Sequence, residues 1–420
     1  MSETATFPTL EAVKKARKSI ESVVNYTPLQ YSQRLSEKFG ARIFLKREDL
    51  QPVRSYKLRG AYNKINSLFL EGKTSDGIVC ASAGNHAQGV AFSCRQLGIG
   101  GTIFMPVTTP RQKLEQVEMF GGNAVEVRLT GDTFDASKAA ALEFAALSGA
   151  AFIHPFDDVR IIEGQATLAL EILEQQQEKI DFVFIPIGGG GLASGIATVF
   201  KTLSPGTLLV GTEPKGAASM KASLFNNANT ELPEIDGFVD GAAVKRVGDL
   251  NFEICKEALY DCIAVDEGRV CDTILQLYNK DAIVLEPAGA LSISALDQYR
   301  DQIRGKNVVC IVSGSNNDIT RMEEIKERAL LYKGLKHYFM VKFPQRPGAL
   351  KDFVLNVLGS DDDITHFEYT KKNSRETALA VVGIELSDPS GFSGLRTRMQ
   401  ELGYFESYLN DNPDVLNMLV

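Results

Sequence analysis

The sequence predicts an α/β protein whose body is built on parallel sheets, followed by a small α+β unit. Three observations predict it: apolar strand-like runs alternate with helix-like segments, Gly-rich turns follow those runs, and the texture changes near residue 331. DGIVCAS leads into NHAQGVAFSCRQLG, and GGTIFMPV into PRQKLEQVEMFGG. The pattern recurs at FVFIPIGGGGLASGIATVFKTL, at TLLVGTEP, and at KNVVCIVSGSNN followed by DITRMEEIKERALLY. Ligands of open parallel sheets bind beyond the carboxyl ends of the strands, so chemistry is expected in the turns that close these runs. From about Tyr332, KHYFMVKFPQRPGALKDFVLNVLG reads as strand, Pro-Gly turn and helix. DITHFEYTKKNSRETALAVVGIEL reads as two strands around a polar turn, and GLRTRMQELGY as a final helix. This β-α-β-β-α order predicts a ferredoxin-like unit over 331–420, separate from a body over 1–330.

A chain of 420 residues has room for two or three compact units, and 44% hydrophobic with 23% charged residues is ordinary for a globular protein. A formal charge of −8 gives no general attraction for phosphate backbones or anionic lipid, so neither nucleic acid nor membrane is an expected partner. MSETATFPTLEAVKK lacks the pattern of a secretory signal and no run approaches a membrane span, which leads to the expectation of a cytoplasmic protein. Six cysteines without a Cys-x-x-Cys pair fit buried thiols better than disulfides or zinc. Of the four histidines, no two lie within one helical turn, so no metal site is expected.

Four separated segments carry candidate chemistry. In RSYKLRGAYNKI, Lys57 opens an apolar-periodic stretch; desolvation there, with Arg59 nearby, would disfavour the ammonium and favour a nucleophilic amine. Taken alone, a solvated surface lysine explains it as well. ASAGNHAQG (81–89) is a small-residue turn opening a helix, where backbone N–H groups suit a carboxylate and the Asn85 amide suits a ring hydroxyl; a plain helix cap is the alternative. Gly188, Gly189, Gly190 and Gly191, then Leu192, follow the buried run FVFIPI. Four consecutive glycines forfeit conformational entropy and are expected where main chain must approach a ligand, here a phosphate. A dinucleotide site with Glu213 as its ribose-binding acid is the rival, but no G-x-G-x-x-G spacing exists. In SGSNND, Ser313 suits a hydrogen bond to a heteroaromatic nitrogen, although an ordinary turn has the same composition.

Taken jointly and in this order, these segments resemble the β-family (fold type II, tryptophan synthase β-like) of pyridoxal-phosphate enzymes, and within it the biosynthetic threonine dehydratases. TPLQYSQRLSE, IFLKREDLQPVRSYKLRGAY, SAGNHAQGVA, GGGGLASG, VDGAAVKRVGDL, EPAGALS and SGSNND carry the resemblance over nearly the whole chain. It implies two parallel-sheet subdomains, the smaller one over about 51–150 inserted in the larger, and pyridoxal 5′-phosphate as cofactor. It further implies that Lys57 holds the cofactor as a Schiff base, Asn85 contacts its 3′-hydroxyl, Gly188 to Leu192 cradle its phosphate and Ser313 meets its pyridine nitrogen. Ser82, Ala83, Gly84 and His86 would line the loop for the substrate carboxylate. The implied reaction turns L-threonine, and also L-serine, into a 2-oxoacid and ammonia. Family racemases carry a serine where this chain has Ala83, so racemisation is disfavoured. Glu213 and Ala217 match only part of a cation site seen in some relatives and are left uncommitted.

GLKHYFMVKFPQRPGALKDFVLNVLGSDDDITHFEY resembles the single ACT-like regulatory domain of short biosynthetic dehydratases. Pro347-Gly348 would then let backbone approach an amino-acid effector, isoleucine and potentially valine, although a dimerisation domain that binds nothing has the same pattern. Relatives imply a homotetramer. The remaining alternatives are a catabolic serine/threonine dehydratase, a threonine synthase-like lyase, and a catalytically dead amino-acid-binding regulator.

Overall fold

The computed structural model describes residues 7–369, 376–412, 415, 416 and 418. Its contacts divide the chain into two compact units, residues 1–319 and 320–420. This boundary lies ahead of the texture change at 331. The helix Met322–Tyr332 belongs with the second unit because it buries Ile325 and Ala329, and its Glu327 accepts the hydroxyl of Tyr338 from the strand that follows.

The first unit holds two sheets. Across the larger one the strands run Leu29–Tyr31, Arg42–Arg47, Asn307–Val312, Phe182–Pro186, Leu208–Pro214 and Asp261–Val265. All neighbours are parallel except the antiparallel pair at the edge formed by Leu29–Tyr31 and Arg42–Arg47. Cys310, in the central strand, faces Leu45 on one side and Phe184 on the other. That strand is covered on both faces, which is why NVVCIV reads as a continuous apolar run. The smaller sheet is parallel throughout, in the order Val125–Leu129, Gly101–Met105, Ile78–Ala81 and Ala151–Phe152. Its residues fall in sequence between two strands of the larger sheet, Arg42–Arg47 and Phe182–Pro186.

Helix Lys57–Leu70 follows from spacing: Leu58, Ala61, Tyr62, Ile65 and Leu68 recur every three or four residues and are buried. Helix Val159–Gln175 starts where the Asp158 side chain accepts the N–H groups of Arg160 and Ile161. The two helices meet closely at Gly164, where a Cβ would stand 2.5 Å from the Arg59 carbonyl oxygen. One core cluster joins Val183, Ile185 and Leu209 of the big sheet to Ala169, Ile172, Ile196 and Val199 of the covering helices.

In the second unit the sheet runs Asp363–Tyr369, Thr377–Glu385, Lys336–Pro344 and Phe405–Tyr408, antiparallel throughout. Phe339, Val341 and Phe343 share a core with Phe353 of helix Ala349–Asn356 and with Leu395 and Met399 of helix Phe392–Glu401. The alternate positions Tyr338 and Met340 pack with Leu331. After helix Met322–Tyr332 the chain order is β-α-β-β-α-β, one strand more than expected. That strand, FESY, has only four residues with two of them exposed, too short for its alternation to be read. The polar turn expected between Tyr369 and Thr377 lies outside the described residues. Among the described residues no helix is long and apolar enough to cross a membrane, and all six cysteines are free and buried.

Candidate active site

Strands Ile78–Ala81, Phe182–Pro186 and Asn307–Val312 each end at one cavity of about 310 Å³, within the range of small-molecule sites. Lys57, the loop from Ser82 to His86, Gly188, Gly189 and Ser313 all line it. Gly190, Gly191 and Leu192 are buried behind that wall, with Gly191 and Leu192 forming the first turn of helix Gly191–Leu203.

Lys57 is the first residue of its helix. The segment ahead of it is docked on the loop after Asn307–Val312: the Tyr56 N–H donates to the Ser313 carbonyl at 3.2 Å, and the Ser315 N–H to the Arg54 carbonyl at 2.9 Å. The Lys57 amine donates to the Pro155 carbonyl at 2.9 Å and lies 5.5 Å from the Tyr56 ring centre. Burial lowers its pKa to about 8, against a weaker opposing pull from Glu286. Desolvation, the expected cause, leads, while the expected help from Arg59 is absent. The Arg59 guanidinium turns away from the cavity and is matched by two carboxylates, Glu48 at 2.7 Å and Glu171 at 2.6 Å.

Asn85 opens helix Asn85–Leu97. Its amide nitrogen donates to Glu286 Oε1 at 2.7 Å, while its oxygen accepts from the Asn316 amide at 2.7 Å. An amide nitrogen carries two hydrogens, so this pairing fixes the side chain with its remaining N–H free to donate to a ligand oxygen. Asn316 is held in turn by the Val53 carbonyl at 2.9 Å. Burial, reinforced by Asp240, raises the pKa of Glu286 to about 7. Neither Glu286 nor Asn316 was singled out in the sequence, although EPAGALS and SGSNND contain them; a buried carboxyl is visible only once its surroundings are known.

His86 donates from Nε2 to the Ile153 carbonyl at 3.0 Å, and burial depresses its pKa to about 3. It is therefore a neutral ring of defined tautomer in the cavity wall. Helix Asn85–Leu97 directs its first N–H groups toward the loop of Ser82, Ala83 and Gly84, an arrangement suited to a carboxylate. The glycine loop takes its shape from close packing. A Cβ on Gly189 would stand 2.2 Å from the Phe156 ring, and Gly190 has φ of +94°. Glu213, by contrast, spends both carboxylate oxygens on the N–H groups of Met220 and Lys221, each at 2.8 Å. Among the described residues no cluster of three or more metal-ligating side chains exists.

These features fit pyridoxal phosphate. A partly buried amine of lowered pKa suits its aldehyde, a glycine loop at a helix N-terminus suits its phosphate, a neutral Ser313 hydroxyl its ring nitrogen, and the free Asn85 N–H its ring oxygen.

Comparison with known proteins gives the same picture. Residues 20–314 match the family model for pyridoxal-phosphate dependent enzymes, and residues 327–419 match that for the C-terminal regulatory domain of threonine dehydratase. The chain is 52% identical over 411 residues to the biosynthetic L-threonine dehydratase IlvA of Halalkalibacterium halodurans, covering 98% of this chain and 99% of that protein. Among solved structures, the processed form of threonine deaminase isoform 2 from Solanum lycopersicum is 38% identical with a TM-score of 0.71, over 78% of this chain and 91% of that one. Maize serine racemase is 30% identical with a TM-score of 0.72, over 78% and 99%.

Proposed function

The chain belongs to the pyridoxal-phosphate dependent enzymes, and within them to the biosynthetic threonine dehydratases that carry a C-terminal regulatory domain; from that membership we propose that it converts L-threonine to 2-oxobutanoate and ammonia, with L-serine as a second substrate. The observation that carries the reading is the Lys57 amine: partly buried, pushed down to about 8, and placed where the ends of three parallel strands converge. When bound, the cofactor supplies the electron sink that lets the substrate Cα release its proton. Lys57 would hold the cofactor, and its free amine would take up that proton at Nζ, a task its lowered pKa suits. Asn85 donates to the 3′-oxygen, Gly188 to Leu192 enclose the phosphate, and the Ser313 hydroxyl meets the ring nitrogen without protonating it. Ser82, Ala83, Gly84 and His86 line the loop for the substrate carboxylate. Ala83 has no proton to give from the opposite face, which favours elimination over racemisation.

We assign the reaction to isoleucine biosynthesis, with feedback by isoleucine, and opposing or parallel action by valine, through the C-terminal unit. A homotetramer in the cytoplasm is part of the same reading. The deciding experiment is a 2-oxoacid assay on L-threonine and L-serine, each with and without isoleucine and valine. Threonine turnover is expected to fall by roughly 10³-fold or more in Lys57→Ala, which should also lose the visible absorbance of the wild type. Hydride trapping followed by mass spectrometry should label the Lys57 peptide, and a label elsewhere would refute the assignment. Deleting residues 320–420, the second compact unit, should leave turnover and remove isoleucine sensitivity; undiminished sensitivity in that truncated enzyme rules out the regulatory half of the reading.

A further inference from the structure

Behind the glycine loop lies a junction of three segments that the reaction itself does not use. Asn251, on helix Asp249–Ala258, is fully buried. Its amide nitrogen donates twice, to the Gly189 carbonyl at 2.9 Å and to the Phe156 carbonyl at 3.1 Å. The Gly248 N–H donates to the same Gly189 oxygen at 3.1 Å. Asp157 fixes the helix that carries Asn251, its carboxylate accepting the N–H groups of Asp249 at 2.9 Å, Leu250 at 3.2 Å and Asn251 at 3.4 Å. There is no slack here: a Cβ on Gly190 would stand 2.8 Å from the Asn251 Cβ, and one on Gly248 2.7 Å from the Asn251 amide nitrogen.

The consequence lies in the peptide between Gly189 and Gly190. In a trans peptide the C=O and the N–H point in opposite directions, so holding the Gly189 oxygen also sets the direction of the Gly190 N–H. Glycine populates positive and negative φ about equally, so a run of four could turn this peptide either way unless something outside the loop selects one. The two donors do so. Asn251 cannot be replaced by its flipped amide, because the oxygen would then face two carbonyls; in the observed pose that oxygen has no partner among the described residues. A buried polar side chain with both donor hydrogens committed and its acceptor unmet is retained for what its donors hold.

We propose that Asn251, braced by Asp157, is a positioning residue for the cofactor's phosphate: by pinning the Gly189 carbonyl it determines how the glycine loop presents its N–H groups to an anion. The inference rests on the pyridoxal-phosphate reading above and concerns binding of the phosphate alone.

The test compares pyridoxal phosphate with pyridoxal, which lacks the phosphate, on the full chain stripped of cofactor and titrated by visible absorbance. In Asn251→Leu the dissociation constant for pyridoxal phosphate should rise by roughly ten-fold or more, the scale of a lost buried hydrogen bond with its partner left unsatisfied, while that for pyridoxal should stay within about two-fold. Inorganic phosphate should compete with pyridoxal phosphate in the wild type and much less in the variant. If thermal melting shows that Asn251→Leu does not fold, Asn251→Asp keeps the shape and replaces the donors by acceptors, and the same discrimination is expected of it. Equal weakening of both ligands, or none, overturns the proposal. A wild-type chain that binds neither ligand overturns the functional reading and this inference with it.

Discussion

Two cations two residues apart on one helix, Lys57 at the cavity wall and Arg59 in the core, are partly and fully buried and treated in opposite ways. Arg59 is 0% exposed and forms a closed cluster with Glu48, Glu171 and Lys46, also 0–3% exposed. Its fork meets Glu48 at 2.7 and 2.8 Å and Glu171 at 2.6 and 3.0 Å, and these pairs, set against burial, raise its pKa. Lys57 faces the cavity with a carbonyl for a partner, and its pKa falls to about 8. The difference teaches how an amine of lowered pKa is kept: the charge on one helix face is fully compensated and anchors strand, helix and loop, so that the amine on the other face can be left without a close counter-ion.

The largest effect should come from breaking the compensated side. Arg59→Met leaves Glu48 and Glu171 buried with only Lys46 between them, and should cost about 3–5 kcal/mol of stability, read by denaturant unfolding of the full chain. A loss below about 1 kcal/mol, the scale of a surface pair, would mean that water reaches the cluster and that the contrast with Lys57 is not one of compensation.

The next effects come from the uncompensated side and depend on pH. Lys57 has a folded pKa of about 8, below its ordinary 10.5, so between those values the unfolded chain binds more protons and stability rises with pH. At 1.36 kcal/mol per unit, Lys57→Met should make the cofactor-free chain more stable than wild type by up to about 3 kcal/mol at neutral pH. That is an upper figure, because the cavity admits water, and the advantage should fade as pH rises from 8 toward 10.5. Glu286 runs the other way. Its pKa is raised from 4.5 to about 7, so its contribution is present below 4.5 and lost as pH climbs through 7. Glu286→Gln should match wild type in acid and exceed it by up to about 3 kcal/mol near pH 8. Melting curves across pH check both; parallel curves for variant and wild type would show that neither group titrates differently on folding.

The same contrast explains what could be read from sequence. Lys57, Asn85, the glycine run and Ser313 sit in short contiguous strings at the ends of strands, where residue type and backbone role coincide, and the strands themselves are continuous apolar runs. The partners that give these residues their properties are elsewhere in the chain: Glu286 is 201 positions from Asn85, and Glu171 is 112 from Arg59. Nothing local distinguishes Glu286 from a surface carboxylate, and Arg59 looked like a neighbour acting on Lys57 because its orientation on the helix is set by Glu48 and Glu171. In the C-terminal unit the alternation from Lys336 to Pro344 was clear, while the closing strand was hidden by its length. The Pro347-Gly348 turn is present, with Gly348 at φ of +84° and open space where a Cβ would stand. That clearance suits the approach of an effector, yet no local string marks which side chains would meet one.

The smallest expected effect sharpens the comparison from its weak end. Lys64 lies on the same helix, seven residues beyond Lys57, and pairs with Asp158 at 2.6 Å. By distance this pair is as good as Arg59 with Glu171. Its side chains keep 18% and 22% of their surface exposed, against 0% and 4% for Arg59 and Glu171. If desolvation rather than distance sets the worth of a pair, Lys64→Met should change stability by only about 0.5–1 kcal/mol, and should lose part of even that in 1 M salt, where the Debye length falls to about 3 Å. Substituting Lys64 rather than Asp158 keeps the carboxylate that caps helix Val159–Gln175, so the measurement isolates the ion pair. A loss as large as that of Arg59→Met, unchanged by salt, would show that charge pairing along this helix is set by geometry alone and would count against burial as the reason the Lys57 pKa is low.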